Sequence, residues 1–200
     1  MKKAALALSL SLITAPLFAA VPKAVPPIKQ FVEASGQGNV AELARLLKAG
    51  VSVNGRLTPE DNSMTALTIA AALGKVESIK ALLAAKANVN LADALGDTAL
   101  HKACFPPISK DQASEMKAKR EIVGLLLAAK AKVNLRDKQG WTPLMFAASV
   151  GDASNVKALL DAGADASVKL SSGKTAFSLA QQGGSKDAAA LLTPKPAVKK

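Results

Sequence analysis

Between residues 28 and 192 the apolar positions fall at helical spacing, in pairs of short runs. Val76, Ile79, Leu82 and Leu83 share one helix face, and Val156, Leu159 and Leu160 share another. Each such run follows a smaller apolar run that opens on threonine: TALTIAA at Thr65, TALHKAC at Thr98, TPLMFAA at Thr142 and TAFSLAQ at Thr175. The threonines are 33, 44 and 33 residues apart, so the middle spacing is the period plus an insertion of 11. Leu82, Leu159 and Leu192 stand 17 residues after their threonines, and Leu126 stands 28 after Thr98. A Val-Asn-Leu step in KANVNLAD (Lys86 to Asp93) and KAKVNLRD (Lys130 to Asp137) keeps the same phase. Three landmarks in register at a period near 33 indicate an array of stacked units, each two helices and a connection.

Elementary chemistry accounts for the punctuation. A threonine hydroxyl caps the free amides of a helix start, and Pro143 suits the first helical turn. The small pairs Ala70-Ala71, Ala103-Cys104 and Ala147-Ala148 let neighbouring helices approach closely. Gly50 and Gly163 fit a left-handed stop after the second helix. Lys86 and Lys130 occupy the same place, and those two stops are expected to use another geometry. Five units follow: 28–57, 58–96, 97–140, 141–173 and 174–192, the terminal ones atypical because one face meets water. In the first unit Phe31, Val32, Leu43, Leu46 and Leu47 carry the pattern, and its hairpin is three residues longer than the others. The insertion lies within 106–119. Pro106-Pro107 ends the first helix there, and Ser109 or Asp111 caps a longer second helix running to about Ala129. Surface insertions cost little, so a tolerated solvated loop is expected over a functional element.

TALHKA (98–103), GWTPLMFAA (140–148) and LLDAGAD (159–165) resemble ankyrin repeats. Only Thr142-Pro143 keeps the proline of that family's threonine-proline-leucine-histidine start, and only His101 keeps the histidine. The resemblance implies an all-α solenoid of about five helix-turn-helix units joined by β-hairpin-like loops. It also implies protein binding by a concave face built from hairpin tips and first helices. By position that face holds Trp141, Arg136 and Lys138 at the tips, with Leu91, Leu95 and Leu135. Ile69, Leu73, Lys102, Phe105, Phe146 and Val150 form its helical ridge.

The N-terminus changes where such binding would occur. Met1-Lys2-Lys3, the apolar run Ala4–Ile13 and the small-residue end at Ala19-Ala20 read as a signal peptide over 1–20, cleaved after Ala19 or Ala20. The run is too short for a stable membrane span. A Pro-rich linker (21–27) and a basic tail (193–200) flank the repeats. An exported bacterial protein of the periplasm is expected, a monomer when free, whose partner is another exported protein. Among exported ankyrin proteins, the resemblance suggests an immunity or inhibitor protein for a secreted effector, or a helper of a periplasmic stress enzyme.

Charge adds a rival. The formal net charge is +11, which favours acidic partners, so a basic cell-envelope binder of anionic lipid or lipopolysaccharide is the alternative. Nucleic acid is not expected, because aromatic content is 3% with no tyrosine for base stacking.

Nothing in the chain assembles into a catalytic constellation. His101 is the single histidine and reads as a hydrogen-bonding residue between units. Cys104, the single cysteine, aligns with Ala71 and Ala148 and reads as packing. Asp93, Asp137 and Asp165 recur once per unit, as turn-bracing residues do. No strand precedes Gly36-x-Gly38 or Gly183-Gly184, so phosphate cradling is unsupported. No enzyme activity, no cofactor and no metal site are expected.

Overall fold

The computed structural model describes residues 25–193. The segment read as a signal peptide, most of the expected linker and nearly all of the basic tail lie outside the described residues. Within them the chain is all helical, ten α-helices and one 3-10 turn with no strand. The helices come in pairs: α1 (Pro27–Gln37) with α2 (Val40–Lys48), α3 (Ala66–Ala72) with α4 (Val76–Ala84), and α5 (Ala99–Ala103) with α6 (Gln112–Ala128). The last two pairs are α7 (Pro143–Val150) with α8 (Ala153–Asp161) and α9 (Ala176–Gln182) with α10 (Lys186–Leu192). First helices stack on first helices in one layer and second helices on second helices in the other. The result is the expected helical solenoid.

The threonines do what their position predicts. Thr65, Thr142 and Thr175 each accept the amide three residues on. Leu82, Leu126 and Leu159 are fully buried between the layers, and Leu192 nearly so. Each such side chain stabilises the array by about 1.5–3 kcal/mol relative to exposure. Cys104 is buried among them, and burial pushes its thiol up well beyond the usual range, which leaves it inert.

The connections form a strip of linked hairpins. Asp93 N donates to Asp97 O, Asp137 N to Trp141 O and Leu170 N to Lys174 O, all at 2.9 Å. Neighbouring hairpins are tied by Ala94 N to Asn62 O (3.0 Å) and Lys138 N to Leu95 O (2.9 Å). Gly96 at one tip has φ +88°, and a Cβ there would lie 3.0 Å from Asp137 Cα of the next hairpin. Asp93 Oδ1 accepts from Leu95 N and Asp97 N, and Asp137 Oδ1 from Gln139 N and Trp141 N. A second tie runs through asparagine side chains. Asn54 Oδ1 accepts from Asn88 N, Asn90 Oδ1 from Lys132 N and Asn134 Oδ1 from Asp165 N.

One expectation about the helix stops needs correction. Lys86 and Lys130 do not use a different stop: both have φ 64°, the left-handed geometry of Gly50 and Gly163. Ala87 N and Ala131 N donate back into the last helical turn, and these closing bonds hold the lysines there. A Cβ in this region carries a penalty that glycine escapes. Lys86→Gly and Lys130→Gly are therefore expected to stabilise the chain by about 0.5–1 kcal/mol each, measured as a raised urea midpoint with an unchanged slope.

The insertion forms the longer second helix expected of it, behind a short solvated loop. It lengthens α6 to 17 residues against nine in α4 and α8, with Asp111 Oδ1 capping the helix through Ser114 N. The first helix ends at Ala103, with Cys104 as its C-cap, ahead of the two prolines.

Candidate functional site

The hairpins and first helices bring one aromatic group to the surface. Phe146, on the exposed side of α7, has the Phe105 ring 4.4 Å away at 45° and the Trp141 ring 4.7 Å away at 26°. All three rings are half-buried. Trp141 is set by its backbone: its N–H donates to Asp137 Oδ1, and its carbonyl faces His101 Nε2 at 3.3 Å. His101 Nδ1 accepts from Thr98 N (3.2 Å), which assigns the proton to Nε2, the donor to Trp141 O. Burial holds the imidazole below its ordinary pKa, so it is the neutral bridge between units that the sequence suggested.

Arg136 and Lys138 are exposed on the hairpin beside Trp141. They are not equivalent. Arg136 Nε donates to Gly140 O (3.1 Å) and Nη2 to Lys169 O (3.0 Å), so its guanidinium fastens two hairpins. The ammonium of Lys138 makes no ion pair among the described residues.

Lys102 requires a correction. Expected on the open ridge, it is only 7% exposed. Its Nζ lies 2.7 Å from Asp97 Oδ2, 2.9 Å from Asp93 Oδ2 and 4.7 Å from the Phe105 ring centre. Burial alone would lower its pKa, yet the two carboxylates outweigh that and raise it. Lys102 is an internal cation beneath the aromatic group, not a contact residue. The signal for this was present, since Lys102 occupies the register of Ile69 and Phe146, an otherwise apolar column. Asp97, where other units have Met64, Trp141 or Lys174, supplies the matching acid.

The remaining ridge residues do not join the aromatic group. Ile69 and Leu73 line a separate apolar groove of about 320 Å³ with Val32, Gly36, Leu57 and Met64. Leu57 and Met64 come from the long first hairpin, closed by Leu57 N to Met64 O, and sequence reasoning did not single them out. Val150 is half-buried at the end of α7.

Below Phe105 a polar lock fixes the start of the insertion. Lys119 Nζ donates to the carbonyls of Phe105 (3.2 Å) and Pro106 (3.1 Å) and pairs with Glu115 Oε1 at 2.9 Å. Glu115 accepts from Ile108 N and Ser109 N. Burial works against its charge, but these bonds outweigh it and hold the carboxyl at about 2. Neither residue was marked in the sequence, where a Glu and a Lys four apart read as an ordinary exposed helix pair.

A family model described as ankyrin repeats (3 copies) matches residues 31–106 and 112–200. The chain belongs to the ankyrin repeat family. No curated protein matches the sequence. Ankyrin repeat proteins are typically non-enzymatic binding modules, and this one is a protein-interaction solenoid in that general sense. Among its described residues no helix is long and apolar enough to cross a membrane, and no three His, Cys, Asp or Glu side chains gather as a metal site.

Proposed function

We propose that this ankyrin solenoid is exported to the periplasm and binds another exported protein through Phe105, Phe146 and Trp141, with Lys138 and Arg136 at the rim. The observation that carries the reading is the contiguous aromatic group, half-buried on the face made by hairpins and first helices. Aromatic and arginine side chains in such settings dominate interface energies, and a polar rim shields them from water. The basic rim favours an acidic surface on the partner. A partner that is a secreted effector or a periplasmic stress enzyme fits this chemistry.

Trp141→Ala combined with Lys138→Glu tests the reading, while Arg136 stays because it holds the hairpins together. With the full mature chain as bait in periplasmic extract, the partner found by mass spectrometry is expected to bind the double variant at least a hundredfold more weakly. The helical circular dichroism signal should not change. Unchanged affinity overturns the site. Retention on anionic phospholipid vesicles that disappears at high salt would favour the envelope binder instead, because long-range charge attraction is screened.

A further inference from the structure

The 105–111 loop carries a side chain that the fold leaves uncovered. Ile108 is 72% exposed, more than any other large hydrophobic residue among those described. A loop with this residue would ordinarily be free to turn it inward, and here it is fixed outward. Glu115 accepts from Ile108 N (3.0 Å) and Ser109 N (2.7 Å), and Ser109 Oγ donates to Asp111 O (3.0 Å). The acid and its lysine are themselves buried, the Lys119 side chain 1% and the Glu115 side chain 7% exposed. The loop also falls in the gap, 107–111, between the two stretches that the family model matches, so it is a feature of this chain beyond the shared repeat.

We propose that Ile108 is a preset anchor that enters an apolar pocket, rimmed by acidic groups, on the partner protein held by the aromatic group. This rests on the reading of that group as the partner site. Continuity argues for one partner. Lys119 grips the Phe105 carbonyl while the Phe105 ring lies against Phe146, so loop and aromatic group are joined through one residue. Charge argues for the acidic rim. Three of the acids here are paired with a cation, Glu115 with Lys119, Glu121 with Lys80 and Asp152 with Arg120, while Asp111 caps α6 and keeps its single negative charge. Lys110 and Lys117 stay exposed with no ion pair among the described residues, and as two cations against the one Asp111 carboxylate they give the outward field its sign. Fixing the loop in advance removes an ordering cost that a flexible loop would meet on binding.

A photoreactive benzophenone amino acid placed at 108, at 141 and, as a control, at exposed Lys80 tests this in the native host with the full chain. Positions 108 and 141 are expected to attach the same protein, and position 80 is not. With that protein purified, Ile108→Asp should weaken binding at least tenfold. Glu115→Gln should weaken it at least threefold and speed amide exchange at Ile108 and Ser109. Attachment at 141 without 108, or a different protein, a lipid or a second copy of this chain at 108, overturns the anchor and leaves the aromatic site standing. Silence at 141 overturns the aromatic site and this inference with it.

Discussion

Lys119→Met is expected to lower the stability of the folded chain by about 3–5 kcal/mol, the usual cost of stranding one member of a buried ion pair. The substitution keeps the length of the side chain and removes its charge. It leaves the Glu115 carboxylate without its cation and the carbonyls of Phe105 and Pro106 without their donor. Urea denaturation measures the loss. Acid supplies a second readout of the same lock. Glu115 titrates at about 2 in the folded chain against an ordinary 4.5, so its contribution, on the order of 3 kcal/mol, is fully present above pH 4.5. It fades as pH falls from there toward 2, because the unfolded chain takes up the proton first. In the methionine variant the cation that depresses Glu115 is gone, and the acid loss across that window should shrink. A variant as stable as the parent, with the same acid profile, would show that the insertion is held by something other than this pair.

The fold was legible because the repeat writes the same physics several times. Threonine caps, small residues between first helices and leucines between layers recur in phase, so a weak signal in one unit is supported by the others. The count of five units and the long helix after Asp111 followed from that register. The aromatic group was half legible. Phe105, Phe146 and Trp141 could be assigned to one face from position alone, but their mutual contact depends on how α5 and α7 stack. Two other features were hidden for different reasons. The left-handed Lys86 and Lys130 break the residue preference for that geometry, and the closing hydrogen bonds that override it appear only in three dimensions. The Glu115–Lys119 lock has the sequence signature of an exposed helix pair. Its burial arises because the two added turns of α6 lie under the 105–111 loop.

Lys102 is where position within the repeat misleads most, and it carries the second large effect. A lysine exposed on a ridge could be replaced within about 0.5 kcal/mol. The buried Lys102 is instead expected to cost about 3–5 kcal/mol when replaced by methionine, since Asp93 and Asp97 would remain buried together without a counter-charge. The aspartates should not respond alike. Asp93 also braces its hairpin through Leu95 N and Asp97 N. Asp97, by contrast, meets Lys102 with Oδ2 only, and its Oδ1 is buried without a hydrogen-bond partner. The cluster of two acids and one base holds one negative charge in excess. Asp97→Asn removes that excess while Lys102 keeps Asp93, so its cost is expected to be near 1 kcal/mol, well below that of Lys102→Met. In the double variant Lys102→Met with Asp97→Asn, one buried acid is left uncompensated instead of two, and the combined loss should be smaller than the sum of the single losses. Denaturation midpoints for the three variants decide the matter. Equal and small effects for all of them would return Lys102 to the surface as a contact residue; a steep loss confined to Lys102→Met places it inside, as the ion that lets the aromatic group sit over two carboxylates.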